Sequence, residues 1–590
     1  MPASLQPATL AFQAETPWSA AFDDVYHSAA GGLGQARHVF LGGNGLPARW
    51  AGRERFVILE TGFGFGLNFL ATVQAWRNDP ARCERLHYVA IEKHPFSLAD
   101  LRTLHQRYPE LQEEASELHS SWPPLVSGGH RAELEQGGVI LTLFFADIKV
   151  VRELRLKADA IYLDGFSPAK NPDMWSHAVL RSLSRLAAPG ATAATWTVAA
   201  PVRAALESAG FAVEKRKGFG DKKEMLTATH VRKVGEFVGV KEKRAVVVGA
   251  GLAGAAVCER LCARGWEVEL VERHAEPARE ASGNHAGTFH PIATPDDSVF
   301  ARLTRAGFLY GRKYWERFPE VRWDPCGVLQ LARNEKEDAS QRRAALGLPP
   351  DYAQYATREE ASAHAGVPVA AGGLWFPQGG WIQPRTLVQA QLDACGRRLK
   401  RSFGKELHRI PAAPLVVLAN SSGAPKLHAL PGLRLRRVRG QITHLAAQDL
   451  DAPRVVLLRG GMLLPPVEGV CVAGASFDID DEDPAPRADS HAGNLERLAR
   501  ILPLRTEFKN LQGRVAFRSV TPDRLPVVGS LGDGVCGAFA YGSRGLVWAA
   551  LAAELLAAHI EGEPLPLEGK LVDALAPARF TMRSRGASGQ

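Results

Sequence analysis

Short apolar runs alternate with helical stretches from Arg55 to about His230, and they predict strands over residues 56–60, 86–92, 140–145, 160–164 and 191–197. Apolar residues at helical spacing fill the intervals, as in 66–77 and 97–106. Alternation of this kind builds a parallel, doubly wound α/β sheet. A charged, glycine-containing stretch from Lys233 to Arg244 breaks the rhythm, and a fresh strand–turn–helix–strand begins at Ala245. The pattern predicts one domain over 1–235, a linker over 236–244, a second domain over 245–578 and a frayed tail over 579–590, where no apolar period remains. The most apolar helix, 545–560, is interrupted by Glu554 and is too short to cross a bilayer.

Each domain opens on a strand that runs into a glycine-rich turn. The first reads Leu59-Glu60-Thr61-Gly62-Phe63-Gly64-Phe65-Gly66, the shape used for S-adenosylmethionine (SAM). In open α/β sheets the ligand lies beyond the carboxyl ends of the strands. Gly62, Gly64 and Gly66 let the backbone pass close to a bulky ligand. Glu60, at the strand end, is placed to bind the amino group of the methionine part, directly or through water. Glu92 ends the second strand and is placed to accept from ribose hydroxyls. Asp147 follows the third and is placed to accept from the adenine amino group. The series of three acids on successive strand ends carries more weight than the glycines. The fourth strand ends at Asp164, where a methyltransferase of this shape holds its reacting group. A carboxylate there can bind an ammonium and remove its proton as the nitrogen attacks the methyl. The plainer alternative is a strand-end Asp that caps the next turn.

The second fingerprint is Gly249-x-Gly251-x-x-Gly254, after the strand Ala245-Val246-Val247-Val248. Glu272 ends the following strand, near the distance expected for a ribose-binding acid. A pyrophosphate fits the helix N-terminus, where unpaired N–H groups and the dipole favour an anion. Later features favour FAD over NAD. The small-residue loop 281–287 carries Ser282 and Asn284, expected against the flavin. A late strand and glycine turn, 415–423, forms the return leg of such a domain. Gly542 and Gly545 flank Arg544 before the last long helix, whose start can stabilise negative charge on a reduced flavin. No attachment residue stands out, so FAD is expected to bind non-covalently.

Composition changes this picture little. The 590 residues are 46% hydrophobic and 23% charged, ordinary for globular protein, and the formal net charge is +8. That excess suits a phosphate-rich partner without requiring one. Seven scattered cysteines show no zinc spacing, so no metal is expected and a reducing compartment is. No basic segment followed by an apolar core opens the chain, which predicts a cytoplasmic location.

Longer strings carry a resemblance to the MnmC family of bifunctional tRNA wobble-uridine modification enzymes. They are Phe22-Asp23-Asp24-Val25-Tyr26, Glu60 through Phe69, and Leu163-Asp164-Gly165-Phe166-Ser167-Pro168-Ala169-Lys170-Asn171-Pro172-Asp173-Met174-Trp175. In the second half Gly379-Gly380-Trp381-Ile382-Gln383-Pro384, Arg439-Gly440-Gln441 and 518–529 resemble the D-amino-acid-oxidase class of flavoproteins. The resemblance implies a Rossmann-like class I methyltransferase domain followed by an FAD domain interleaved with an antiparallel-sheet substrate domain. It implies that the flavin domain oxidises the carboxymethylaminomethyl arm of a wobble uridine, releasing glyoxylate. The methyltransferase domain then methylates the remaining aminomethyl group with SAM, with Asp164 as the matching base. The expected partner is tRNA, with no membrane and no DNA; nothing in the sequence sets an oligomeric state.

For the oxidase, Arg518 or Arg544 is the expected grip on the substrate carboxylate, since a guanidinium offers two parallel hydrogen bonds. His290 follows the flavin loop, and a structural role is the plainer reading for it. Three basic stretches are candidates for phosphate contact: 215–217, 241–244 and 434–437. Two other readings fit both cofactor sites: a small-molecule amino-acid or sarcosine-type oxidase fused to an amine N-methyltransferase, and a non-catalytic scaffold. The first does not account for the long methyltransferase strings, and an intact Asp164 and an intact flavin fingerprint weigh against the second.

Overall fold

The computed structural model describes residues 5–232, 235, 240, 242–504 and 507–580. Two compact units emerge, one holding Ser4–Gly239 with Gly562–Gly569, the other Val240–Glu561 with Lys570–Gln590.

In the first unit an eight-stranded sheet runs in the order Phe211–Lys217, Glu224–His230, Ala187–Thr195, Ala158–Tyr162, Arg55–Glu60, Arg85–Glu92, Val139–Phe145, Gly128–Leu134. The five strands from Ala187–Thr195 to Val139–Phe145 are parallel, and the outer ones pair antiparallel. All five predicted strands are present. Strand alternation explains the two cores. Phe56, Ile58, Tyr88 and Leu141 pack in one layer. Leu59, Val89, Ile91 and Ile161 pack in the layer on the opposite face. Chain order reverses between Arg55–Glu60 and Ala158–Tyr162, the switch point at which such sheets open a ligand crevice.

Gly562–Gly569 was expected in the second domain and instead packs with the first. Leu565 and Leu567 are buried. Glu563 pairs with Arg85 at 3.0 Å, and Arg131 Nη2 donates to Pro564 O at 2.5 Å. Backbone bonds run from Leu565 N to Arg155 O (3.1 Å) and from Gly569 N to Glu153 O (2.8 Å).

The second unit has two large sheets. One runs Leu399–Phe403, Glu267–Glu272, Arg244–Val248, Leu415–Leu418, Val535–Phe539, Val527–Gly532. Its first five strands are parallel. The other has nine short, mostly antiparallel strands, of which Arg436–Ala446 and Gln512–Val520 form the longest pair. Its strands lie between those of the first sheet in sequence, so the two are interleaved. The apolar helix Gly545–Glu561 is buried almost throughout. Glu554 survives there because Arg264 pairs with it at 2.9 Å. No helix among the described residues is long and apolar enough to cross a membrane.

The expected frayed tail begins too early. Arg579 is buried and pairs with Asp523 at 3.0 Å, and Phe580 is buried beside it. An apolar period is not needed where one arginine finds a half-buried acid. Residues 581–590 lie outside the described residues.

Candidate active sites

A cavity of about 480 Å³ opens in the first unit at the switch point. Gly62, Gly64, Glu92, Asp147 and Asp164 all line it, so five expected residues meet in one place. Gly66 shapes it from behind. Its φ of +80° turns the chain into the helix Leu67–Asn78, and a side chain there would meet the Phe63 ring. Glu92 accepts from Gly64 N and His94 N, each at 2.7 Å. Burial raises its pKa, against those two hydrogen bonds. Asp147 accepts from Lys149 N and pairs with Lys93, both at 3.1 Å.

Asp164 is half-buried at the cavity surface. Its Oδ1 accepts from Gly165 N at 2.8 Å and its Oδ2 from Asn68 Nδ2 at 2.7 Å. Burial raises its pKa to about 6, while those two bonds pull the other way. Each oxygen keeps acceptor capacity for an incoming N–H.

Glu60 stands apart from these residues. It is fully buried and is not among the cavity residues. Its oxygens accept from Asn68 Nδ2 (2.8 Å) and Tyr88 Oη (2.9 Å), and Asn68, itself a cavity residue, joins it to Asp164. Asn68 was missed although it lines the cavity. The available signal was Asn68 and Thr72, polar and four apart on a helix otherwise apolar on that face; Thr72 meets Tyr162 Oη at 3.1 Å. Also missed were three of the aromatic residues that line the cavity, Phe22, Tyr26 and Phe166. Phe22 stacks on Phe166 with centroids 4.6 Å apart.

In the second unit the fingerprint glycines have steric reasons. A Cβ on Gly254 would lie 1.8 Å from Gly249 O, and one on Gly251 3.0 Å from Ser282 Oγ. The helix Leu252–Cys262 starts at this loop, and Leu252 N donates to Ser282 Oγ at 3.0 Å. Glu272 accepts from Ala250 N at 2.7 Å and His274 N at 3.0 Å. These residues fit a dinucleotide: the loop leaves room for backbone approach, and buried Asn420 Oδ1 and Tyr541 Oη have no partner among the described residues. Asn284 differs in part from its expected role, since its Oδ1 accepts from Arg514 at 2.8 Å. Gly542 has φ +55° and donates to Ser519 O at 3.2 Å, and Gly545 begins the helix Gly545–Glu561.

That bond joins the segment of Arg518 to that of Arg544. Burial lowers the pKa of Arg518, and of Arg544 to about 10. Both stay cationic at neutral pH. Among the described residues no carboxylate forms an ion pair with either guanidinium; Arg544 donates only to His290 O, at 3.4 Å. His290 is buried, donates from Nδ1 to Pro291 O at 2.8 Å, and is held neutral by burial and by Arg544, its pKa lowered to about 3.

The basic stretches are largely neutralised. Lys215 pairs with Glu224, Arg216 with Glu214, Arg244 with Glu242, Arg436 with Asp480 and Arg437 with Glu482. Lys241 lies outside the described residues. Exposed pairs are worth about 0–1 kcal/mol, so a phosphate can displace them.

A switch-point cavity with a strand-end acid series and a separate dinucleotide loop define a SAM-dependent methyltransferase and an FAD-dependent oxidoreductase on one chain. Comparison with known proteins agrees. The S-adenosyl-L-methionine-dependent methyltransferase family matches residues 109–231, and the FAD dependent oxidoreductase family matches 244–559. The chain is 46% identical to the "tRNA 5-methylaminomethyl-2-thiouridine biosynthesis bifunctional protein MnmC" of Azoarcus sp. (strain BH72), over 98% of each chain. It is 48% identical to the protein of that name from Aromatoleum aromaticum, again over 98% of each. Glycine oxidase from Geobacillus kaustophilus aligns with 20% identity over 57% of this chain and 99% of its own, with a TM-score of 0.49. The chain belongs to the MnmC family of bifunctional proteins.

Proposed function

We propose that this enzyme completes a wobble-uridine side chain of tRNA in two steps, in the cytoplasm. The oxidoreductase unit removes the carboxymethyl group from 5-carboxymethylaminomethyl-(2-thio)uridine, leaving 5-aminomethyl-(2-thio)uridine. The methyltransferase unit then methylates the amine with SAM. The observation that carries the reading is Asp164, a half-buried carboxylate at the cavity surface with acceptor capacity left on both oxygens.

The chemistry that bound FAD supplies is acceptance of a hydride from the carbon beside the side-chain nitrogen, after which the imine hydrolyses to glyoxylate and the free amine. The loop from Gly249 to Gly254, Glu272 and Ser282 would hold it. Arg518 and Arg544 bind the substrate carboxylate, which the absence of an ion pair to either guanidinium among the described residues favours. In the first unit Glu92 accepts from the ribose of SAM and Asp147 from its adenine amino group. Asp164 binds the substrate ammonium and takes its proton. The nitrogen lone pair forms the new N–C bond as the S–C bond breaks, and S-adenosylhomocysteine departs.

Nucleoside mass spectrometry tests both steps, on tRNA bearing 5-carboxymethylaminomethyluridine incubated with the protein. Without SAM the carboxymethyl group is lost and glyoxylate appears; with SAM the product is the methylated amine. Unchanged tRNA from FAD-loaded protein, together with oxidation of free glycine or sarcosine, would refute the proposal.

A further inference from the structure

Asn68 is the second residue of the helix Leu67–Asn78 and is 8% exposed. Its one amide nitrogen donates to Glu60 Oε1 at 2.8 Å and to Asp164 Oδ2 at 2.7 Å. An amide nitrogen has two hydrogens, so both are committed to carboxyl groups. Glu60 lies beneath, fully buried, with Tyr88 Oη on its other oxygen at 2.9 Å. Asp164 lies above, facing the cavity.

We propose that Asn68 is the positioning residue of methyl transfer, tying Asp164 to a buried, neutral Glu60 so that Asp164 alone serves as the base. Two carboxyl groups bridged through one nitrogen do not both ionise cheaply. Burial, and then the charge of Asp164, push Glu60 well above the usual carboxyl range. Glu60 therefore holds its proton, and the single negative charge falls on the group that faces substrate. An amide suits the bridge because it donates in both directions and does not titrate. Tyr88 matches a neutral Glu60, since its hydroxyl can donate or accept.

This inference rests on Asp164 being the base. The test uses full-length FAD-loaded enzyme, tRNA bearing 5-aminomethyluridine, and SAM. Asn68→Ala is expected to lower kcat of methyl transfer by about tenfold or more, from loss of orientation. The acid limb of its kcat–pH profile should move to higher pH, because Asp164 loses a bond that stabilises its anion. Binding of S-adenosylhomocysteine, measured calorimetrically, should stay within about threefold, as expected when uniform binding is untouched. Glu60→Gln reproduces the neutral acid, so its kcat should fall by less than about threefold and its acid limb should stay in place. The proposal is overturned if Asn68→Ala binds S-adenosylhomocysteine normally yet keeps wild-type kcat and acid limb. It is also overturned if Glu60→Gln loses as much rate as Asp164→Asn, an arm that decides the matter even if Asn68→Ala fails to fold. Wild-type rate and acid limb in Asp164→Asn would instead remove the base assignment itself.

Discussion

Burial lifts Asp164 from 3.8 to about 6, which shortens the uphill proton transfer from an ammonium by on the order of 3 kcal/mol. The anion is the working form. As pH falls through about 6, the group gains a proton and loses its hold on the ammonium. Methyl transfer should therefore show an acid limb near that pH, falling about tenfold per unit below it. Asp164→Asn should lower the rate about a hundredfold or more and abolish the limb; stopped-time mass spectrometry across pH 5–8 reads both. A limb unchanged in that variant would assign it to another group. Glu92, Asp147 and Asp164 were legible because each stands at the carboxyl end of a strand, on one edge of the sheet. Glu60 stands on the same edge but is buried outside the cavity lining. Strand position sets the edge, but alternation sets the face, and Glu60 shares its face with Phe56 and Ile58 beneath the helix Leu67–Asn78. Residue type alone did not reveal Asn68, whose role depends on two carboxyls brought together from different strands.

Strand–turn–helix units were the most legible elements, because turn chemistry and periodicity act over a few residues. Both glycine turns fell where expected. A feature they share did not show in the sequence: Glu92 and Glu272 each accept from one N–H of the preceding glycine turn and from the residue two beyond themselves. Each glutamate thus pins its loop before any ligand arrives. Gly254 is the strictest position in the second loop, since a Cβ 1.8 Å from backbone oxygen cannot be relieved by a side-chain rotation. Gly254→Ala should yield protein with little or no visible flavin absorbance. Its SAM-dependent methylation of 5-aminomethyluridine in tRNA should persist. Retention of flavin at wild-type stoichiometry would show that the helix can shift to admit the methyl group. The nine-stranded sheet was illegible strand by strand. Its strands are short, and its longest pair joins Arg436–Ala446 to Gln512–Val520, so its pairing depends on long-range contacts that no local pattern encodes.

At the scale of the whole molecule the formal net charge is +8, while in the candidate stretches Lys215, Arg216, Arg244, Arg436 and Arg437 each pair with an acid. Phosphate binding then requires displacement of weak surface pairs, and its affinity depends steeply on ionic strength. Raising salt from about 50 to 200 mM should increase KM for tRNA by about tenfold or more, with a smaller effect on kcat; steady-state kinetics at several salt concentrations measure it. A salt-independent KM would point to recognition through the nucleoside alone. Of the expected linker, residues 236–239 and 241 lie outside the described residues; the far end of the domain plan was not legible, because Gly562–Gly569 has the composition of an ordinary loop and its destination depends on Arg85, Arg131 and the backbone at 153–155. This return has a consequence for descent as well as for folding. The codons that complete the methyltransferase lie on the far side of the oxidoreductase gene segment. A single recombination event at the linker therefore divides one packing unit: the upstream product leaves Leu565 and Leu567 behind, and the downstream one carries them away.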